Sequence, residues 1–553
     1  MSFTHENKAH TRFLLIGPYD PHGGEYTFLA PPLGVWRLAG VLESAGHLVT
    51  VFDPNCCEGP PAEALKRQLH AARWDVVGVS TTGMTLRYDL ELAAIARTGA
   101  PLALLVAGGM EATFKPELMF RLAPFDLIVL GEGEKPLLEL ARRRVAGESL
   151  AMIPGTATAA PGGGVNRYTQ HALTPAELAD AIKKTPYEKM PYEEYWQRLE
   201  TAYRVRALPS KADREARLAE IRSVRLITLN YCPMGCTFCS STNYLHEAQG
   251  SVASIARLDV GECMQMLKKI VVAHPGVRTV IFQDDIFVFT KDQRILPLCA
   301  AIVAAKAIGE LPRGLQFIST NRIDAMTSER LAAMHSAGFR VLGFGIESFS
   351  HAVLEEFNKK HIYRFIEPVL TEARALGITP FLDLILTSPR GSLADFAETI
   401  RQAYRWITAG CEVGMYPYVI PFSGAAMSND PALKPHTISV RHHVARTAIA
   451  WEQPAKILPI DPAAREAVLA VEADFERWLA ELEHAGYHLP SRVRSLMWIV
   501  SAIPHLLRAG EAMPDRNQVL RDLAMRLPGV DVAPRGGAYA DARARDAAAV
   551  ANG

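Results

Sequence analysis

The sequence predicts an α/β protein in three parts: an N-terminal doubly wound parallel sheet, a partial or full β/α barrel, and a C-terminal helical domain. Three observations carry this reading. Short apolar runs alternate with amphipathic stretches over the first 145 residues, the same alternation resumes from Val224 to about Pro421 after a Pro/Gly-rich interruption, and from about Lys434 apolar residues recur every three or four positions. With about 150 residues per domain, 553 residues have room for three or four domains.

In the first part, residues 1–150, the candidate strands are "RFLLIG" from Arg12, "LVTVFD" from Leu48, "DVVGVST" from Asp75, "LALLVAGG" from Leu102 and "DLIVLGEGE" from Asp126. Their aliphatic and β-branched content suits strands buried on both faces. Between the first two, "PLGVWRLAGVLESAG" has helical spacing and closes at Gly46, a residue suited to a helix C-terminus. Doubly wound sheets bind ligands at the carboxyl ends of their strands. Here those ends hold Gly17, Ser80, Thr81, Thr82, Gly108, Gly109, Gly131, Glu132 and Gly133. Any tight turn can use glycine, so these positions gain meaning only with their neighbours.

Residues 151–220 shift in composition. "PGTATAAPGGGVNR" is Pro/Gly-rich and "SKADREARLAEIR" is a charged helical stretch, which together read as a linker with a small ordered hairpin. Residues 221–430 then hold enough alternation for six βα units. Barrel chemistry gathers at the C-terminal strand ends. "TVIFQDDIFVF" puts Asp284 and Asp285 there, "LQFISTNRIDA" puts Ser319, Asn321 and Arg322, "RVLGFGIESFS" puts Glu347, and "PFLDLILTSPRGSLADF" puts Asp383, Leu384 and Arg390. The adjacent aspartates equally suit a helix N-cap beside a solvated acid. "YPYVIPFSGAAM" reads as the last strand and its turn, with Tyr416 and Tyr418 either lining a cavity or packing as ordinary strand tyrosines.

Residues 431–535 turn helical, with "AAREAVLAVEADFERWLAELEHAG" as the strongest segment, and are expected to cap the barrel mouth. "SLMWIVSAIPHLL", Ser495 to Leu507, reads as a core helix, with interfacial membrane contact as the lesser alternative. The tail, 536–553, has too few large apolar residues to fold by itself and is expected to be disordered.

The most informative segment is "LITLNYCPMGCTFCSS". Cys232, Cys236 and Cys239 follow an apolar strand in C-x3-C-x2-C spacing, which lets one loop grip three corners of a 4Fe-4S cube and leaves the fourth iron open. An open iron can bind a substrate or cofactor. A zinc site is the alternative, but structural zinc takes ligands in two separated pairs and no second pair lies nearby. Buried, inert thiols are expected at Cys56, Cys57, Cys263, Cys299 and Cys411.

The triplet, with Phe238 just before the last cysteine, resembles the signature of the radical S-adenosylmethionine (radical SAM) superfamily. Ahead of it, the succession "PPLGVWRLAGVLESAGH", "VVGVSTT", "VAGGMEAT" and "DLIVLGEGEKPLLEL" resembles the cobalamin-binding domain that precedes the barrel in cobalamin-dependent radical SAM enzymes, over residues 12–145. A plain flavodoxin-like domain is the structural competitor. The resemblance implies three cofactors: a 4Fe-4S cluster, S-adenosyl-L-methionine (SAM) and cobalamin. It implies catalytic and cluster roles for the three cysteines, and SAM contacts from Phe238, Asp284, Ser319, Asn321, Glu347 and Leu384. Cobalamin contacts would come from Gly17, Leu33, Ser80, Thr81, Thr82, Gly108, Gly109, Glu111, Gly131 and Glu132. Met110 and Glu111 stand where the family commonly has Pro and His. Asn358 and Lys359, near the end of "VLEEFNKKH", sit as they do in relatives. A histidine ligand to cobalt would use Asp-x-His-x-x-Gly; this chain has Asp20, His22 and Gly24 but Glu25 in the final place, and a solvated loop histidine is the main reading of His22.

The formal charge is zero, with 59 basic and 59 acidic residues, so no global pull toward nucleic acid or anionic membrane is expected. Eight cysteines in this length make no disulfide scaffold, the N-terminus lacks a signal-peptide core, and no apolar run reaches the roughly 18 residues of a membrane span. A cytoplasmic, reduced protein is expected.

In function, the resemblance implies methylation of an unactivated carbon, or of phosphorus, in a small molecule or natural-product intermediate. One SAM would methylate cobalamin and a second would be cleaved to the 5′-deoxyadenosyl radical, with an external donor such as flavodoxin or ferredoxin supplying the electron. The alternatives are oxidative cyclisation or ring rearrangement of the tetrapyrrole cyclase type, methyl transfer without radical cleavage, and a non-catalytic cobalamin- or SAM-binding sensor.

Overall fold

The computed structural model describes residues 10–22, 29–208, 210–444, 449–484 and 491–506. The expected tail, 536–553, and Gly24 and Glu25 lie outside the described residues.

All five expected N-terminal strands form. They are β1 (Arg12–Ile16), β2 (Leu48–Phe52), β3 (Val76–Ser80), β4 (Leu104–Gly108) and β5 (Leu127–Val129), parallel in the order β2-β1-β3-β4-β5. Helices cover both faces, so strand residues such as Phe13, Leu14, Val76 and Val77 are excluded from water. The helix Leu33–Ser44 ends where expected, with Gly46 at φ +86° donating its N–H to Glu43 O.

The sheet does not stop where the first part was expected to end. The hairpin β6 (Thr156–Ala159) and β7 (Val165–Tyr168) adds two antiparallel strands beyond β5, so the segment read as a linker opens with the outer edge of the first sheet. The rest of that segment is helical, through Pro175–Lys183, Tyr192–Ala202 and Lys211–Ile221.

Six parallel strands follow: β8 (Ser223–Leu226), β9 (Thr279–Phe282), β10 (Gln316–Asn321), β11 (Phe339–Glu347), β12 (Thr379–Ile385) and β13 (Glu412–Tyr416), paired strictly in chain order. β8 and β13 do not pair with each other, so the barrel is a partial one. Side chains serve the free edge of β8: Tyr192 Oη accepts from Arg225 N at 3.1 Å, Tyr187 Oη donates to Arg225 O at 2.9 Å, and Trp196 Nε1 donates to Ser223 O at 3.1 Å. This satisfies polar groups that would otherwise template another strand.

The C-terminal region departs from expectation at its start. It opens with an antiparallel ribbon, β14 (Thr437–His443) and β15 (Ala450–Ile457), before the helices Pro462–His484 and Ser491–Leu506. Ribbon residues Val444 and Trp451 are buried in the core of the first sheet. Ser491–Leu506 packs on β13 and both helices pack on the helix Leu393–Thr408, which covers the open edge of the barrel, and Ser495 Oγ accepts from Met415 N at 3.3 Å. Met497, Ile499 and Ala502 are fully buried, which makes Ser491–Leu506 a core helix. Among the described residues, no helix is long and apolar enough to cross a membrane.

Candidate active site

The cysteine loop leaves β8 at Leu226 and runs to the helix Ser241–Gln249. Its backbone is held from several sides. Thr242 Oγ1 accepts from Gly235 N at 3.0 Å and donates to Cys232 O at 2.9 Å, Thr237 Oγ1 donates to Glu356 O at 2.8 Å, and Asn358 Nδ2 donates to Gly235 O at 3.1 Å. Phe238 packs edge-on against Phe357, with ring centroids 4.9 Å apart. Cys232, Cys236 and Cys239 are half-buried free thiols. Burial raises all three, Cys232 to about 12, which favours the neutral thiols, and a bound cation would work the other way by stabilising the thiolates. Among the described residues no three His, Cys, Asp or Glu side chains converge on one ion position.

The two adjacent aspartates divide their work. Asp284 is buried, and its carboxylate accepts from Thr228 N at 2.6 Å, Leu229 N at 2.9 Å and the Thr228 hydroxyl. Burial outweighs these donors and raises it to about 6. Its carboxylate therefore fastens the end of β9 to the end of β8. Asp285 opens onto a cavity yet sits deep in protein mass, which raises it, and its hydrogen bond with Ser241 works the other way.

Glu347 ends β11 in the left-handed region, φ +62°, which is uncommon for a residue with a side chain. Its Oε1 lies 2.8 Å from Lys359 Nζ, which also donates to Gly345 O at 2.7 Å. A Cβ on Gly345 would come within 2.6 Å of Glu347 Oε1 and 2.9 Å of Lys359 Nζ, so a side chain there would push the pair from its present position. Burial works to lower Lys359, but Glu347 and Cys236 outweigh it and keep the ammonium charged. Asp383, on the neighbouring strand, is pushed up to about 7 by burial and then by the Glu347 charge.

Leu384 belongs to the main apolar core, so its side chain leaves the strand on the face opposite Asp383. Ser319 and Asn321 are buried and bond to each other, with Asn321 Nδ2 3.0 Å from Ser319 Oγ.

At the other module's strand ends, a cavity of about 450 Å³ separates the first sheet from the barrel. Leu33, Ser80, Gly108, Gly109, Gly131 and Glu132 line one side; Asn230, Tyr231, Gln283 and Asp285 line the other. Its size is typical of a ligand site.

Four expected cobalamin contacts lie off this lining. Gly17 packs near Pro32 behind it. Thr81 is buried, its N–H and hydroxyl both donating to Gly108 O, and Thr82 N donates to Asp89 at 3.3 Å. Glu111 accepts from Ser423 Oγ at 3.0 Å and pairs with Lys115 at 3.1 Å, bordering a second cavity of about 240 Å³. His22 is buried rather than solvated, 3.0 Å from Tyr88 Oη, and does not line the large cavity. Cys56 and Cys57 are half-buried rather than buried, whereas Cys263, Cys299 and Cys411 are buried as expected.

Sequence reasoning missed Arg37, which comes from the helix Leu33–Ser44. It lines the cavity and donates Nε to Glu134 Oε1 at 2.5 Å, with Glu132 also near. Arginine at a helical spacing on an amphipathic segment gives no signal of its own. Tyr231 and Tyr244, flanking the cysteines, were legible in principle as aromatics beside a motif.

Two domain families match this layout. The B12 binding domain matches residues 21–141, and the Radical SAM superfamily matches residues 226–403. The chain carries a B12-binding domain followed by a radical SAM domain. Among curated relatives, an uncharacterized methyltransferase of Pyrococcus horikoshii is 24% identical over 376 residues, covering 68% of this chain and 73% of its own. An anaerobic magnesium-protoporphyrin IX monomethyl ester cyclase of Cereibacter sphaeroides is 23% identical over 409 residues, covering 71% of this chain but 60% of its own. In fold, the chain is similar to the radical S-adenosylmethionine methyltransferase TsrM of Kitasatospora setae, a structure with cobalamin and a [4Fe-4S] cluster bound. The TM-score is 0.61 at 16% identity, covering 94% of this chain and 100% of that one.

The residues present fit the implied groups. Three thiols on one held loop suit a cluster with an open iron. The cavity adjoins that loop, and Glu134, which lines it, has a buried Oε2 with no hydrogen-bond partner among the described residues, a group that a bound ligand can satisfy.

Proposed function

We propose that this protein is a cobalamin-dependent methyltransferase acting on an unactivated carbon, or a phosphorus centre, of a small molecule. The single observation behind the reading is the shared cavity: one space of about 450 Å³ touches both the strand ends of the B12-binding sheet and the residues Asn230, Tyr231 and Asp285 beside the cysteine loop. When bound, cobalamin supplies a methyl carrier and the cluster with SAM supplies a radical that removes a substrate hydrogen. The chain's own share is placement. Cys232, Cys236 and Cys239 would hold the cluster, and Glu347, kept in place by Lys359, would accept hydrogen bonds from the ammonium or ribose of SAM. Ser80, Gly108, Gly131 and Glu132 would hold cobalamin against the first sheet. Apolar walls from Leu15, Leu33 and Val129 exclude water from the space between them.

The match to the cyclase favours a second reading, oxidative cyclisation. Anaerobically reconstituted protein with SAM, a low-potential reductant and candidate substrates separates the readings. The methyltransferase gives a product heavier by one methyl group, together with both S-adenosylhomocysteine and 5′-deoxyadenosine. A product lacking the added methyl supports the cyclase. S-adenosylhomocysteine without 5′-deoxyadenosine supports methyl transfer without radical cleavage, and formation of neither leaves only a sensor.

A further inference from the structure

The helix Ser241–Gln249 begins two residues after the third cysteine, and its first four residues reach four different parts of the molecule. Ser241 bonds to Asp285 at the end of β9. Thr242 holds Cys232 O and Gly235 N inside the cysteine loop. Asn243 Nδ2 donates to Gly424 O, in the loop after β13, at 2.6 Å. Tyr244 Oη donates to Gly131 O, at the end of β5 in the B12-binding sheet, at 2.7 Å. The Tyr244 ring meets Phe114 of that same domain edge-on at 6.3 Å.

The remainder of the helix stays against the first sheet. Gly131 sits at φ +68°, and a Cβ there would lie 2.6 Å from the Cβ of Ala248, so the helix rests directly on the strand-end backbone. Ala172 N donates to Gln249 Oε1 at 2.9 Å, and Arg167 of β7 pairs with Glu247. One short rigid element therefore touches the cysteine loop at its start and the cobalamin-side cavity wall along its length.

We propose that the helix Ser241–Gln249 couples the two cofactor sites, with Tyr244 as the positioning residue that carries the state of the Gly131 turn to the cysteine loop. Cobalamin bound against Gly131 and Glu132 fixes the turn whose carbonyl receives the Tyr244 hydroxyl. Thr242, two residues earlier on the same helix, is then held where the cluster loop needs it, so SAM meets a site whose ordering cost is already met. Linkage makes the effect mutual: SAM must tighten cobalamin by the same factor as cobalamin tightens SAM. This inference rests on the presence of both cofactors, not on which reaction they perform.

The test uses the full-length protein with its cluster reconstituted, and measures SAM affinity by anaerobic equilibrium dialysis with and without saturating hydroxocobalamin. In the wild type, cobalamin should tighten SAM by at least roughly 5-fold, the lower end of ordinary coupling between sites. Tyr244→Phe keeps the ring against Phe114 and removes only the hydroxyl. Its iron content and its SAM affinity without cobalamin should stay within twofold of wild type, while the coupling falls below twofold. Equal SAM affinity with and without cobalamin in the wild type overturns the proposal. So does coupling that survives Tyr244→Phe, which assigns it to direct contact between the cofactors. A protein that binds no cobalamin at all sinks the functional reading itself, and the inference with it.

Discussion

The neighbouring carboxylates Asp284 and Asp285 show how one residue step separates structure from chemistry. Asp284 accepts three hydrogen bonds across two strand ends, so Asp284→Asn, which turns one acceptor into a donor facing donors, should cost about 2–3 kcal/mol in urea unfolding. Asp285→Asn should leave stability within about 0.5 kcal/mol and shift ligand affinity instead. The sequence could place both at a strand end but not tell them apart, because that depends on which one the Thr228 and Leu229 amides reach. The cysteine triplet was legible from its spacing, whereas Glu347 and the glycine strand ends could be placed by strand context but took their expected roles from the family resemblance. Strand alternation turns the Leu384 side chain into the core and leaves Asp383 in the field of the Glu347–Lys359 pair, a division that the sequence reading of this strand end did not make. Glu132 gives a pH signature. Burial and then the Glu134 charge raise it from 4.5 to about 7, so between those values the folded state binds the proton that the unfolded chain has lost. Apoprotein stability should therefore fall as pH rises from about 4.5 to 7, by on the order of 3 kcal/mol, and level off above; Glu132→Gln should remove that slope in thermal melts across the range.

At the level of elements, the parallel strands were readable because each is a compact aliphatic run, whereas the ribbon β14–β15 was not. "TISVRHH" and "AWEQPAKI" carry charge, histidine and proline, and most of their side chains stay at least partly exposed, so no period-two apolar face announces them. The hairpin β6–β7 was expected, but its place was not, since its glycines and prolines suggested a linker while its short strands complete a sheet edge. The helix Ser491–Leu506 was legible as apolar, but its docking place was not. Because it covers β13, truncation after residue 457 should expose that strand edge and yield aggregated protein on size-exclusion chromatography, where the full chain elutes as a discrete species.

For the whole molecule, the order of modules and the cofactors they imply could be read from motifs, but the shared cavity could not, since it depends on how the first sheet faces the barrel. Cysteine chemistry and cobalamin recognition nonetheless draw on different loops. Cys236→Ala should therefore abolish iron binding, measured by colorimetric iron assay, yet keep cobalamin absorbance after desalting at no less than about half the wild-type occupancy; joint loss of both would contradict this division. The end strands of the barrel arc never clasp each other. One rim is held by the side chains of Tyr187, Tyr192 and Trp196, the other by a helix that meets β13 through Ser495. Spreading such a horseshoe breaks no strand pair and asks only these fasteners to yield. Room for bulkier guests is thus better gained at the β13 rim, at the opposite end of the arc from the β8 strand that carries the sulfur-bearing loop, which lets selectivity drift through evolution without disturbing the metal end of the molecule.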